Sequence, residues 1–265
     1  MARQSRYIDR ERYFLELVQT SEAYLLPYIR QFHAVPAGCR ILEIGCGEGG
    51  LLYPFAQEGC VVTGFDLSDG KILNARKFFA ARNVPGTFFC ADALAENGEI
   101  AGQSFDVILV HDVMEHIDPE YKRVFLEKAA KLLAPDGVMY MGFPAWRMPF
   151  GGHQQTCHSK LASYLPFTHW LPLKAYKAYL KCCGESEGQI QELESIYHSR
   201  MSVESFEKLC RESSLRVVDR TLWLINPHYK AKFNLHPLLM PGWLAGIPHL
   251  RNCMATSCFY ILKHQ

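Results

Sequence analysis

Ile41-Leu42-Glu43-Ile44 is a short apolar run that stops at Gly45-Cys46-Gly47-Glu48-Gly49-Gly50, four glycines in six residues. A run of that length ending on such a cluster reads as a buried strand turning sharply into a helix. Glycine is needed there because the chain must take dihedrals closed to other residues and bring bare backbone up to a ligand. The turn also leaves N–H groups free at a helix start, which suits an anionic or polar cofactor.

On both sides of the turn, strand and helix patterns alternate. Apolar positions at helical spacing over residues 5–35 (Phe14, Leu17 and Val18, then Leu25, Tyr28, Ile29 and Phe32), interrupted near Pro27, predict two short helices that cap the N-terminal side. Residues 51–57 then read as helix, 60–65 as a strand ending at Asp66, and Ser68 with Asp69 as the start of a helix through Arg82. Thr87–Cys90 reads as a third strand ending at Asp92, and 105–110 as a fourth ending at His111 and Asp112. A helix over 121–133, stopped by Pro135-Asp136-Gly137, leads to a fifth strand over 138–142.

Short connections between alternating strands and helices predict parallel βαβ units in a doubly wound α/β sheet. Ligands of such sheets sit at the carboxyl ends of the strands. The glycines, Asp66, Asp92, His111 and Asp112 all follow strand ends, so one rim should carry them.

Past Phe143 the character changes. Residues 144–183 are rich in proline, histidine and aromatics, among them Trp146, Tyr164, Phe167 and Trp170, and an acidic, helix-like stretch over 185–194 follows. An interruption just after a strand's carboxyl end is where a lid is inserted. The alternation resumes with a helix over 203–212 and a strand over 215–224, and a second proline-rich insertion precedes a last strand over 254–262. The expectation is one domain over 1–265: a helical cap (1–36), a cofactor-binding core (37–143), a lid (144–200) and a C-terminal part of the sheet (201–265) carrying an insertion over 226–250.

With 49% hydrophobic and 21% charged residues, 265 in all, the chain can bury a sizeable core. Ten cysteines without a CxxC pair, several inside apolar stretches, read as reduced thiols and point to the cytoplasm. Arg3, Arg6, Asp9, Arg10 and Glu11 have no long apolar run behind them, unlike a secretory leader, and no stretch of about 18 apolar residues suggests a spanning helix. The net charge is +1, unevenly spread: residues 144–183 and 220–265 hold ten basic residues and no acid, which leaves −9 on the rest. Two basic segments beside an acidic body fit an anionic small molecule, or contact with a membrane surface. They lack the broad basic footprint of a nucleic-acid binder.

Gly45-x-Gly47-x-x-Gly50 with Asp66 sixteen residues on fits a dinucleotide fingerprint, a weak signal by itself. Three details favour S-adenosylmethionine. Glu43 sets a carboxylate beside the turn, suited to a cationic amino acid moiety; Glu48 lies where a pyrophosphate would be repelled; and Asp92, in Cys90-Ala91-Asp92-Ala93, can accept from an adenine amino group.

Taken together, residues 42–49, Gly64-Phe65-Asp66-Leu67-Ser68, Ala91-Asp92-Ala93 and residues 105–117 resemble the class I S-adenosylmethionine-dependent methyltransferases, in the branch similar to the ubiquinone and menaquinone biosynthesis methylases. The resemblance spans about 37–143. It implies a Rossmann-like, seven-stranded sheet of order 3-2-1-4-5-7-6 with an antiparallel last strand. It implies that Gly45, Cys46 and Gly47, with Glu43 and Gly49 in the same motif, cradle the methionine part, that Asp66 binds the ribose hydroxyls, and that Leu67, next to Ser68, packs on the adenine. It further implies that Asp92 and the Ala93 amide hold the adenine amino group and that His111 lies beneath the sulfonium.

The expected activity is methyl transfer, to oxygen or nitrogen, on a small, apolar and anionic or lipid-like acceptor, releasing S-adenosylhomocysteine. An NAD-type oxidoreductase and a non-catalytic cofactor-binding module are the competing readings. A base is needed only if the acceptor arrives protonated, and His116 and His153 are the candidates. A divalent ion on Asp112, Glu115, His116 and His153, or zinc on His153, Cys157 and His158, is the weaker alternative, and the expected metal set is none.

Overall fold

The computed structural model describes residues 9–96 and 98–265. Arg3, Arg6 and residues 5–8 of the predicted first helix lie outside the described residues. The strands form because short β-branched and aromatic runs bury both faces. They are β1 (Arg40–Ile44), β2 (Val61–Asp66), β3 (Thr87–Cys90), β4 (Phe105–His111), β5 (Leu133–Phe143), β6 (Leu215–Ile225), β7 (Leu238–Leu239) and β8 (Ser257–His264). They make one sheet of order β3-β2-β1-β4-β5-β8-β6-β7. β1 to β5 pair parallel, and β8 runs antiparallel between β5 and β6.

The sheet has eight strands instead of the expected seven. The extra one is a two-residue edge strand inside the second insertion, paired with β6 at Trp223 and Ile225. β5 also begins earlier than Pro135-Asp136-Gly137 suggested: Phe105 pairs with Leu133 but Val107 with Val138, so those three residues lie within an irregular stretch of the strand span rather than ending before it.

The helices are α1 (Arg10–Thr20), α2 (Leu26–Arg30), α3 (Tyr53–Gln57), α4 (Asp69–Ala80), α5 (Lys122–Lys131), α6 (Lys160–Tyr164), α7 (Leu173–Cys182), α8 (Glu187–Ser199), α9 (Val203–Arg211), α10 (His228–Phe233) and α11 (Gly242–Ala245). α1 and α2 are not separated at Pro27. A π turn, Ser21–Leu25, joins them, and Pro27 sits in the first turn of α2, where its missing N–H costs nothing.

One apolar core lies between the sheet and α1 to α4, around Phe14, Phe55, Phe79 and Tyr140. A second lies on the opposite face under α5 and α9, around Phe105, Phe125, Phe143 and Phe206. The segment after β5 has a third, small core of its own, built from Tyr176 and Leu180 of α7, Ile190, Leu193 and Ile196 of α8, and Cys157 from the loop before α6. Lys122 ties that unit to the sheet: its buried Nζ donates to Ser199 Oγ at 2.6 Å and to the Ser199 carbonyl at 3.2 Å, at the end of α8. All ten cysteines are free thiols. Among the described residues no helix is long and apolar enough to cross a membrane.

Candidate active site

A cleft of about 420 Å³ opens at the carboxyl ends of β1 and β4. Its floor is the glycine turn. Gly45 (φ +75°) and Gly47 (φ +54°) both take the left-handed region; a Cβ on Gly45 would stand 2.5 Å from Val113 Cγ2, whereas beside Gly47 there is open space. Asp66 shapes the turn from β2, one carboxylate oxygen accepting from the Gly47 amide at 2.9 Å and the other from the Ser68 amide at 2.9 Å. Lys71 Nζ lies 3.5 Å from Asp66 and also lines the cleft.

Glu43 lies under the turn, 2% exposed, and its Oε2 has no hydrogen-bond partner. Burial, and then the charge of Asp66, push its carboxyl well above the usual range. A buried acceptor left without a donor is costly, and an incoming ammonium group would satisfy it. A pyrophosphate would be repelled. Glu48 behaves differently: it is 1% exposed and held bidentately by Arg10 of α1 at 2.7 Å to each oxygen. Its charge is therefore spent on docking α1 over the cleft, a role that no local signal in the sequence announces.

Across the cleft stand Asp112, His116 and His153. Glu115, 3% exposed on the 3₁₀ turn Met114–His116, has neither oxygen partnered. Burial, and then Asp112, raise its pKa well above normal. His153 Nε2 lies 3.8 Å from Glu115 Oε1, and the His116 and His153 rings meet edge to face with centroids 5.1 Å apart. His153 itself sits at φ +56°, fixed by a turn in which Gln154 Nε2 donates to the Pro149 carbonyl and Thr156 Oγ1 to the His153 carbonyl, each at 2.9 Å. Burial takes the His153 pKa down to about 3, so the ring is neutral at working pH. His116 is reachable by solvent yet crowded by the cleft walls, and desolvation lowers its pKa too.

The cleft thus gathers Glu43, Gly45, Cys46, Gly47, His111, His116 and His153. Asp66 and Ser68 adjoin it through the Gly47 contact, while Gly49 turns toward the core, where a Cβ would meet Phe88 at 2.9 Å. Leu67 is 71% exposed, Asp92 lies on the surface with Oδ1 accepting from the Leu94 amide, and Ala93 borders a separate cavity under α5. Arg10, Lys71 and Glu192 also line the cleft without having been singled out, since they come from elements far apart in sequence. Among the described residues no group of three or more His, Cys, Asp or Glu side chains is arranged to hold a metal ion.

Four of the ten cations counted in the two basic segments are spent inside the fold, in Lys177–Glu194, Lys181–Glu187, Arg220–Glu207 and Arg251–Glu204 pairs. Of the ten, Lys232 is the one that lines the cleft.

Residues 41–137, from β1 to the start of the regular part of β5, match a family described as a methyltransferase domain. Over that segment the chain is similar to methyltransferase domains. The chain is 28% identical over 193 residues to the ubiquinone biosynthesis O-methyltransferase of Rhizobium etli (strain CIAT 652), a match covering 72% of this chain and 65% of that protein. It is 39% identical over 107 residues to the enzyme of the same name from Rhizobium rhizogenes (strain K84 / ATCC BAA-868), covering 39% and 40% of the two. The matches therefore span less than two thirds of either relative. In fold it is similar to the magnesium protoporphyrin IX methyltransferase of Synechocystis PCC 6803 with bound SAH, at a TM-score of 0.55 and 14% identity over 94% of this chain and 84% of that one.

Proposed function

We propose that the chain transfers a methyl group from S-adenosylmethionine to an oxygen of a small, largely apolar acceptor. The observation that carries this reading is the buried Glu43 beneath a glycine turn, with its Oε2 unpartnered, in a cleft lined on another side by His116 and His153, the latter backed by buried Glu115. The names of the two relatives support oxygen as the acceptor atom. When bound, the sulfonium supplies an activated methyl group. Glu43 would take the amino group, the Gly45–Gly47 backbone the rest of the methionine part, and Asp66 the ribose.

The protein's remaining work is to align the acceptor oxygen, exclude water and receive a proton. His153 with Glu115 behind it, and His116 beside them, are placed to do that. A neutral imidazole accepts the acceptor's proton and passes it to solvent, and Glu115, 3.8 Å from His153 Nε2, orients the ring. Calorimetry with S-adenosylmethionine, together with detection of S-adenosylhomocysteine in the presence of catechols and phenols, tests the reading. Micromolar binding that weakens about 100-fold in Asp66→Ala is expected, from the loss of charge-assisted hydrogen bonds. No binding, or binding indifferent to that change, would remove it.

A peripheral membrane contact completes the reading. Between Leu161 and Leu171 six large apolar side chains are exposed, Tyr164 by 70% and Trp170 by 49%, with exposed Lys160 and Lys174 on either side. The second insertion exposes Phe233, Leu238, Leu239 and Trp243. Both insertions line the cleft, through His153 and Gln155 on one side and Tyr229 and Lys232 on the other. Aromatic and leucine side chains beside lysines suit a headgroup boundary. Co-sedimentation with phosphatidylcholine vesicles, with and without phosphatidylglycerol, is the check. Binding should rise with the anionic lipid and fall at least fivefold in the Phe167→Ser, Trp170→Ser double variant, whereas equal pelleting of both proteins would rule this contact out.

A further inference from the structure

Four histidines line the cleft, and the fold treats one of them differently. His111 closes β4, and β5 passes beside it with Gly142 opposite His111 and Tyr140 two residues earlier. The Tyr140 side chain is fully buried, and its hydroxyl oxygen lies 2.9 Å from His111 Nδ1. The two rings are nearly parallel, 14° apart with centroids at 5.8 Å.

Gly142 makes the room for this pair. A Cβ at that position would collide with both His111 Nδ1 and the Tyr140 hydroxyl, so a residue whose own φ is unremarkable is restricted to glycine by its neighbours. Phe259, from β8, closes edge-on against both rings, at 5.1 Å from Tyr140 and 6.1 Å from His111, and Tyr28 packs against Tyr140 at 6.3 Å and against Phe259 at 5.8 Å. The buried Tyr140 ring is thus packed against Phe259, Tyr28 and His111 together.

The proton arrangement follows. Burial raises the Tyr140 pKa well above its ordinary value, so the phenol keeps its proton. A buried hydroxyl proton needs an acceptor, and among the described residues His111 Nδ1 is the hydrogen-bond partner that Tyr140 has. The neutral imidazole carries one N–H and one bare nitrogen. If Nδ1 held the proton and donated it to the hydroxyl oxygen, the phenol proton would be left without an acceptor in the core, which is costly.

We infer that Tyr140 is a positioning residue that donates to Nδ1 and fixes His111 as the Nε2–H tautomer, so that His111 offers the cleft a hydrogen-bond donor and not a base. The opposite edge of the ring lies toward the cleft-lining Asp112, whose Oδ2 is 3.7 Å from Nε2. What the donor is used for rests on the methyl-transfer reading: it leaves proton acceptance to His116 and His153, and gives a carboxylate or oxygen in the cleft an N–H to bind. The tautomer itself does not depend on that reading.

The experiment is long-range proton–nitrogen correlation NMR on the ¹⁵N-histidine-labelled full chain near pH 7.5, with the His111 signals assigned by their loss in His111→Gln. The native protein should show the Nε2–H pattern for His111, and Tyr140→Phe, which keeps the ring and its packing, should shift it toward a mixture. An Nδ1–H pattern in the native protein overturns the inference without recourse to any variant, as does an unchanged pattern in a folded Tyr140→Phe. If methyl transfer is established, Tyr140→Phe should also lower kcat/KM about tenfold, the worth of one neutral hydrogen bond. A failure of the methyl-transfer reading would remove only this last measurement and leave the NMR result to decide.

Discussion

The proposed donor side and the proposed acceptor side of the cleft are built in opposite ways. On the donor side the groups come from consecutive residues: Glu43 ends a strand, Gly45 and Gly47 make the turn, and Asp66, from the neighbouring strand, fastens it through main-chain amides. On the acceptor side the groups come from two stretches some forty residues apart, a 3₁₀ turn after β4 and a strained turn in the segment after β5, brought together by the packing of α7 and α8 and by Lys122. Backbone-built sites are specified by local dihedrals. Side-chain-built sites depend on how distant pieces dock, and they tolerate substitution in the docking pieces only as far as the docking survives.

The sharpest way to break the contrast is to disable the acceptor side alone. Glu115→Gln and His153→Ala should each lower kcat by about 10² to 10⁴, the usual worth of a proton-transfer group, with calorimetric affinity for S-adenosylmethionine unchanged. A matching loss of donor affinity would mean that the two sides are not separable. Next in size, Gly45→Ala sets a methyl against Val113 at a left-handed position, and should cost about 1–3 kcal/mol of stability. Thermal unfolding with and without the donor reads it out, and an unshifted Tm would show that the turn is softer than its geometry indicates.

The smallest expected effect is a pH dependence of donor binding. Glu43, raised while its oxygen is unpartnered, is partly or wholly protonated in the free protein, and an arriving ammonium favours the ionised form. Binding therefore releases a proton, and affinity strengthens as pH rises through the elevated pKa. Calorimetry in two buffers of different ionisation enthalpy measures that release directly. Proton uptake, or none, would place the ammonium elsewhere, and Glu43→Gln should abolish the pH dependence in any case.

The order of the strands came from the family resemblance and not from any period, whereas strands β1 to β4 themselves were legible because each is a short apolar run that stops at a glycine, an acid or a histidine. The edge strand β7 was not, since two residues inside a proline-rich insertion show no period at all. The early start of β5 was hidden by Pro135-Asp136-Gly137, which reads as a stop but is accommodated as an irregularity in the pairing with β4. At the site, Glu43 and Asp66 could be named from their distance to the glycines. Glu48 could be named but not explained, because its partner Arg10 lies 38 residues away on another element. Charge counted along segments misled in part: Lys177 and Lys181 face the acids of α8 rather than a ligand, a pairing that depends on how α7 packs against α8. Tyr140 is a buried strand aromatic like many others until His111 is seen beside it.

The place of β8 bears on how the molecule is made. Ser257–His264 is the final strand in the chain but lies inside the sheet, between β5 and β6. During synthesis β1 to β5 can pair as they emerge, yet the outer edge of β5 stays open until Ser257–His264 has been made, more than a hundred residues later. Until then Phe259 is missing from its place against Tyr140 and His111. A nascent chain therefore carries its glycine turn early and completes the wall behind His111 only once β8 is made, and a chain cut before Ser257 would be struck in the cleft from behind.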